Sequence, residues 1–441
     1  MDASVAVVGG GLAGLVAARR LASRGTEVTL FEREEGVGGR VRSTREDGFT
    51  FDRGFQVLFT AYPAAKRELD YDALDLRQFK PGAVLARPGK RSVLSDPLRD
   101  LGGLAESVAN TEVSTRDKLR TLGLRRRLAR ADPESFFDGG DQSIRAALLE
   151  RGFSERFVEN FAAPFYGGIT LDRSLSTSQA TFDYTFATLA RGSIAVPADG
   201  MGAIPRQLAD AAREAGATIE TGTAVDAVET DGAGGATVVA DGESVGADAV
   251  VVAADPRSAR ELSGVGSIPT DGRGCVTQWY SLDGDLETGR RLLLNVASEA
   301  PNHVVDHTAV APEYAPDGRT LLSATFLGNG GAPGSPDADV DRSDGRDSWI
   351  DGDDNELAAL TREKLASWYP ERSVGSLSLL HTDRIPFAQF AQPPGFYADL
   401  PDVRAPGEGV YLAGDYTEWS SIQGAMRSGA RAADAVAEDL G

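Results

Sequence analysis

The chain has 441 residues, 41% of them apolar, and a formal net charge of -21, which suits a large packed body and excludes both a disordered chain and a nucleic-acid partner. Of its 45 basic residues only five are lysine, and a Lys-poor, Asp/Glu-rich surface is what a halophilic protein would carry in a salty cytoplasm. The longest apolar run, residues 249–254, falls far short of the ~18 residues that cross a bilayer, and the single cysteine, Cys275, excludes an intrachain disulfide.

Ser4–Val8 comes almost at once, with no basic segment, apolar segment or cleavage site of a signal peptide before it. A soluble cytoplasmic protein is expected, with peripheral membrane contact left open. The β-branched run in Ser4–Val8 predicts a buried parallel strand. Apolar residues at Leu12, Leu15, Val16, Ala18, Leu21 and Ala22 give residues 12–24 a helical spacing, and Gly25 stands at the C-cap position. Residues 26–31 predict a second strand. Residues 95–165, rich in Leu, Arg, Ala and Glu, read as mostly helical. Residues 204–215 predict a helix ended by Gly216, followed by strands at Thr218–Thr221 and 224–230. Asp241-Gly242 predicts a hairpin turn between Ala236–Ala240 and residues 243–245. Residues 249–254 then read as a buried strand, and 276–282 and 320–327 as further strands. His303 and His307 are four apart, the spacing of a metal pair on a helix, but no third ligand accompanies them and no metal is expected. Residues 329–355, rich in Gly, Asp and Ser, predict a long solvated loop. A helix at 357–367, a strand at 409–413 and the helix Ile422–Leu440 complete the chain.

Gly9-Gly10-Gly11-Leu12-Ala13-Gly14 satisfies G-x-G-x-x-G between a predicted strand and a predicted helix, the context that gives this pattern force. Gly9 permits the tight turn, Gly11 the approach of a pyrophosphate, and Gly14 close helix packing. The helix N-terminus offers free N–H groups and a positive dipole end. Glu32 ends the second strand eighteen residues after Gly14, where a carboxylate accepts from the adenosine ribose hydroxyls. Two further features favour FAD over NAD. Gly36-Val37-Gly38-Gly39-Arg40 suits a second contact to the pyrophosphate. Near the C-terminus a strand ends in Gly414-Asp415, placing Asp415 to hold a ribityl hydroxyl. The helix start at Gln423-Gly424-Ala425 directs a positive dipole toward the electron-rich edge of a reduced flavin.

With Glu32, these motifs, Asp199-Gly200-Met201-Gly202 before a helix, and residues 247–254 and 414–432, the chain resembles the flavin amine oxidase superfamily. That superfamily includes monoamine and polyamine oxidases, protoporphyrinogen oxidases and carotenoid desaturases. The C-terminal pieces are closest in flavour to plant-type phytoene and zeta-carotene desaturases, with a shorter link between them. The resemblance implies an α/β fold: a Rossmann-like FAD/NAD(P)-binding domain with an inserted mixed α+β substrate-binding domain. The boundaries expected are 1–75, 196–272 and 400–441 for the FAD-binding domain, and 76–195 and 273–399 for the substrate-binding domain. It implies cofactor contacts from Gly9, Gly11, Leu12, Ala13, Gly14, Glu32, Arg33, Gly38, Gly39 and Arg40. It adds Gly54, Phe55 and Gln56 near the isoalloxazine, Val225 at the adenine through its backbone, and Ala254, Gly414, Asp415, Ile422, Gln423 and Ala425. Family members that attach FAD covalently do so through a cysteine just before the C-terminal motif. None stands there, so non-covalent FAD is expected.

The chemistry implied is transfer of hydride from a substrate C–H bond to the flavin, which needs placement and exclusion of water more than an acid–base pair. No such pair is evident. Many amine oxidases carry a lysine that holds a water near the flavin, and none of Lys66, Lys80, Lys90, Lys118 and Lys364 stands in a family motif. Candidate substrate-site residues are Trp419, Tyr416, Gln56, Gln423 and Tyr166, with aromatic packing the competing role for Trp419 and Tyr166. The expected partner is a small hydrophobic molecule, in a desaturase-like or dehydrogenase-like reaction. A flavin amine oxidase, a protoporphyrinogen oxidase and a non-catalytic flavin-binding subunit are the alternatives, and a redox-neutral isomerase stays open. No motif specifies the electron acceptor or the oligomeric state.

Overall fold

The computed structural model describes residues 3–95, 111–230, 235–328 and 349–441. Residues 329–348 of the expected solvated loop, and residues 96–110 of the expected helical stretch, lie outside the described residues. A five-stranded parallel sheet forms one half of the molecule, in the order Thr218–Thr221, Glu27–Glu32, Ser4–Val8, Ala249–Val252, Val410–Leu412. Val5 pairs with Val28 on one side and Ala249 on the other. Val7, Val250, Val251 and Val252 are fully buried, as strands covered on both faces require. The chain order reverses about Ser4–Val8, so the carboxyl ends of these strands open on the crevice where such sheets bind ligands.

The helix Leu12–Ala22 buries nine of its eleven residues, because helices lie against two of its sides. Ala203–Glu214 packs on one side and Ile422–Leu440 on the other. Leu15 and Leu21 are fully buried, worth about 2–3 kcal/mol each in area removed from water. Small residues let the partner approach: a Cβ on Gly429 would overlap the backbone carbonyl of Ala13. A three-stranded antiparallel sheet, Val225–Thr230, Ala236–Ala240 and Glu243–Ala247, turns at Asp241-Gly242.

The second large sheet has seven strands, in the order Ser378–Phe390, Gly272–Asp283, Arg319–Leu327, His303–Asp306, Leu292–Asn295, Ala83–Arg87, Lys90–Leu94. Alternation gives it two faces. Val276, Tyr280, Val304, Leu322 and Phe326 form one cluster with Leu357, Leu365 and Trp368 of the helix Asp354–Trp368. Trp279, Val305, Leu321 and Leu294 point the other way and join the core shared with the parallel sheet. His303 begins a strand in this sheet, so the helical spacing of the two histidines is here the spacing of alternate positions along an extended chain. Helices Thr115–Leu128, Ile144–Glu150, Ala163–Thr170 and Gln179–Arg191 fill the region between. No helix among the described residues is long and apolar enough to cross a membrane.

Candidate functional site

The Ser4–Val8 strand ends in Gly9, whose N–H donates to Phe31 O at 2.8 Å and whose φ of +111° lies where other residues are strained. A Cβ there would come 2.7 Å from Ala253 O and 3.0 Å from Ala254 N, so Gly9 and Ala254 sit side by side at the ends of adjacent strands. A Cβ on Gly14 would overlap Gly9 O. Gly11 is the N-cap of the first helix, with no side chain capping it and no acidic residue in the first turn. Its neighbours Leu12 and Ala13 are buried, leaving backbone N–H groups to face the crevice.

The second glycine loop folds onto the first. Gly38 N–H donates to Gly10 O at 2.8 Å, and a Cβ on Gly39 would stand 3.5 Å from Gly11 Cα. Glu32, 7% exposed, accepts from Gly10 N through Oε2 at 2.6 Å and from Glu34 N through Oε1 at 2.9 Å. Its own carbonyl accepts from Thr223 N at 2.9 Å, which brings the start of the Val225–Thr230 strand beside it. Arg33 points outward, with its guanidinium 3.8 Å from Asp255.

The two ends of the chain meet at Arg40 and Asp415. Arg40 Nη2 donates to Asp415 Oδ1 at 2.6 Å and its Nη1 to Ala388 O at 3.2 Å. Burial lowers the guanidinium, and the Asp415 charge more than offsets this, leaving Arg40 above its ordinary value. Ser420 Oγ donates to Asp415 Oδ2 at 2.8 Å. Gln56 Nε2 donates to Arg40 O at 2.7 Å and Arg53 O at 3.0 Å, while its buried Oε1 has no partner. At the last helix, Ser421 Oγ accepts from Gly424 N at 2.8 Å, and Ile422 and Ala425 are half-buried. Gln423 Oε1 accepts from Ala64 N at 2.8 Å. Backbone-only walls at Gly11 and Gly39, an uncapped helix N-terminus, the oriented Glu32 and the orphaned Gln56 oxygen fit a bound FAD.

The other candidates stand apart from this constellation. Tyr416 donates its hydroxyl to Val252 O at 3.0 Å, bracing the end of a parallel strand. Trp419 is 1% exposed, its ring 4.3 Å from Tyr184 and 5.3 Å from Phe137. Tyr166 packs 4.6 Å from Phe182 and 5.1 Å from Phe165, and burial pushes its hydroxyl up.

Gly54-Phe55-Gln56 lies against the inner face of the seven-stranded sheet. Gly54 N donates to Asp383 Oδ2 at 3.2 Å, and a Cβ on Gly54 would stand 3.8 Å from Thr277 Oγ1. Phe55 sets its ring 5.0 Å from His303 and 5.9 Å from His307. Asp383 also accepts from Trp279 Nε1 at 3.1 Å. Beneath them Asp52 accepts from Ser43 Oγ at 2.6 Å, Met201 N at 2.8 Å and Tyr314 Oη at 2.9 Å. Asp52 thus fastens Met201 of the Asp199–Gly202 motif to Tyr314. Sequence reasoning did not single out Asp52, Tyr314, Trp279 or Asp383, and it weighed the histidines only as metal ligands. The period-two placement of His303, Val305 and His307 was the available signal.

A family model for flavin containing amine oxidoreductases matches residues 12–437. The chain is 23% identical over 481 aligned residues to the 15-cis-phytoene desaturase of Solanum lycopersicum, covering 99% of this chain and 78% of that protein. It is 32% identical over 281 residues to a phytoene dehydrogenase of Streptomyces griseus, covering 57% of this chain and 54% of that one. The cyclohexylamine oxidase of Brevibacterium oxydans IH-35A superposes with a TM-score of 0.67 over 100% of both chains at 19% identity, a likeness of fold.

Proposed function

Because this chain belongs to the flavin-containing amine oxidoreductases and is an FAD-dependent oxidoreductase, we propose that it removes hydride from a C–H bond of a lipophilic substrate, as a desaturase or dehydrogenase does. The observation that carries the choice over amine oxidation is the position of the lysines. Lys66, Lys80 and Lys90 are exposed, and Lys118 and Lys364 are half-buried on surface helices, so no lysine stands in the interior to hold a water against the ring. The likeness to a phytoene desaturase, over 99% of this chain and 78% of that protein, supports the same reading.

When bound, FAD supplies a two-electron acceptor for the hydride. The protein supplies position. Glu32, already oriented by two backbone N–H groups, takes the ribose hydroxyls. The loops at Gly9–Gly14 and Gly36–Arg40 admit the pyrophosphate. Asp415 takes a ribityl hydroxyl and Gln56 Oε1 accepts from the bound cofactor. The inner face of the seven-stranded sheet, with Phe55 over it, excludes water from the reacting face. In this proposal residues 1–75, 196–272 and 400–441 hold FAD, and 76–195 and 273–399 hold substrate. FAD is held non-covalently, since the one cysteine, Cys275, is buried and desolvation pushes its thiol up to about 12. The enzyme works in concentrated salt in the cytoplasm.

The test is anaerobic mixing of the purified holoprotein, at high salt, with polyene hydrocarbons, porphyrinogens and amines. Bleaching by the polyenes is expected, and bleaching by amines alone would overturn the reading. Acid precipitation of the same sample should release all the yellow colour; colour kept in the pellet means a covalent link.

A further inference from the structure

The inner face of the seven-stranded sheet is more polar than a hydrocarbon substrate requires. Among Trp279, Val305 and Leu321, the inner face carries Thr277, His303, Ser323 and Thr325, all buried. Thr277 and Thr325 pair with each other at 3.4 Å. Two atoms have no partner: His303 Nε2 and His307 Nδ1 are buried without a hydrogen bond. Leaving such a group unsatisfied costs about 1–3 kcal/mol. Phe55, half-buried over both rings, offers only a weak aromatic contact in exchange.

The hydrogen bonds around His303 decide which of its nitrogens carries the proton. Arg173 Nη1 donates to Asn302 Oδ1 at 3.1 Å, which fixes the orientation of that amide. Asn302 Nδ2 therefore faces Pro164 O at 2.9 Å and His303 Nδ1 at 3.0 Å, donating to both. His303 Nδ1 accepts, so the proton sits on Nε2, the unpartnered atom. His307 holds its ring by Nε2 against Ser323 Oγ at 2.8 Å, leaving Nδ1 free. Glycine at 168 leaves this pair its space: a Cβ there would come 2.9 Å from Asn302 Nδ2 and 3.4 Å from His303 Nδ1. A tautomer fixed by the Asn302 amide, on a ring held through Nδ1, is an oriented donor.

We propose that His303 and His307 form a polar seat beside the Gly54-Phe55-Gln56 loop for a neutral hydroxyl or carbonyl oxygen carried by the lipophilic substrate. Burial, with Arg173 adding to it at His303 and His303 at His307, holds both imidazoles down to about 3. They are uncharged at neutral pH, so neither ring offers a carboxylate an ion pair or an ammonium a counter-charge. A neutral oxygen accepts from His303 Nε2–H and completes the site at no electrostatic cost. This rests on the lipophilic-substrate reading above and names its polar end. His303 acts as a specificity residue, and Phe55 must swing from the rings for the oxygen to reach them.

The experiment compares a polyprenyl alcohol with the hydrocarbon of the same chain length that lacks the hydroxyl. Each is titrated into the oxidised holoprotein, with Kd read from perturbation of the visible flavin bands and reduction read anaerobically in the same samples. The alcohol should bind about tenfold more tightly, the worth of one well-made hydrogen bond to a preorganised donor. His303→Leu should bring the two Kd values together, and His303→Gln, which keeps a donor, should restore the difference. Equal Kd values in the native protein would overturn the proposal. So would a His303→Leu protein that keeps the preference, or one whose flavin spectrum shifts before any ligand is added while the preference stays, since the partner of Nε2 would then be the flavin. If neither ligand reduces the flavin, the dehydrogenase reading fails, while the Kd ratio still decides the seat.

Discussion

Asp52 is 1% exposed, and desolvation, set against its hydrogen bonds from Ser43, Met201 and Tyr314, raises its carboxyl to about 6. Its folded value therefore lies above its unfolded one of 3.8. Between those values the folded state holds more proton, so this group's contribution is full below 3.8 and is lost as pH rises through about 6. His303 and His307 have the opposite sign: their folded values of about 3 lie below 6.5, so their contribution is full above 6.5 and is lost as pH falls toward about 3. Two depressed histidines outweigh one raised aspartate, and the three together favour neutral pH over acid by a net slope of about 1.4 kcal/mol per pH unit between 4 and 6. Asp52→Asn keeps the shape and removes the charge. Relative to the native protein it should gain about 2–3 kcal/mol in unfolding free energy between about pH 4 and about pH 8. Urea midpoints at several pH values read this directly, because hydrogen bonds lost at both ends of the range cancel in the difference. A gap between the two proteins that stays constant with pH would show that Asp52 is not titrating there. None of this was legible from residue identity, since the environment that moves these groups is assembled from strands far apart in the chain.

At the scale of elements, the same substitution should act with opposite sign in two helices. Gly123 lies exposed within Thr115–Leu128, and an added Cβ there meets nothing within 4 Å. Gly123→Ala should stabilise by about 0.5–1 kcal/mol through helix propensity alone. Gly429→Ala gains the same propensity, but its methyl would overlap Ala13 O, which backbone cannot yield cheaply. It should destabilise by about 1–3 kcal/mol and weaken flavin retention, because the displaced helix begins at the glycine loop. Thermal unfolding and flavin release of the pair would check both signs, and equal shifts would mean the helices are free to separate. The elements around this crossing were readable because each is a local pattern: Ser4–Val8 and Ala249–Val252 are β-branched runs, and Leu12–Ala22 has helical spacing between glycines. In the seven-stranded sheet the apolar runs at 276–282 and 320–327 were readable in the same way, within Gly272–Asp283 and Arg319–Leu327, but its short and edge strands gave no comparable signal. Ala83–Arg87 is five residues long and pairs in parallel with Leu292–Asn295, some two hundred residues away. Ser378–Phe390 is a partly exposed strand at the sheet edge, interrupted by Pro386 and by register shifts. Such strands are made by their partners, and one chain segment read alone does not contain them.

For the whole molecule the governing quantity is the excess of 66 acidic over 45 basic residues. The described surface pairs show how few cations serve many carboxylates. Arg404 bridges Glu438 and Asp439, Arg145 bridges Glu155 and Glu159, and Arg77 bridges Asp75 and Glu313. A planar, multiply donating guanidinium can hold two carboxylates where an ammonium offers a single point charge, which suits a chain with five lysines. Sharing leaves the net charge untouched, so carboxylates beyond these bridges repel one another over the Debye length. That length is about 8 Å at about 0.15 M salt and about 3 Å at about 1 M. Stability should therefore climb steeply with KCl up to about 1 M, where screening is nearly complete, and flatten beyond. Thermal midpoints in a KCl series measure the shape of that curve. A midpoint indifferent to salt below about 1 M would show that the shared arginines already neutralise the surface. A midpoint that keeps rising in proportion well past that concentration would point instead to exclusion of salt from the protein surface, which depends on the surface area covered and not on its charge.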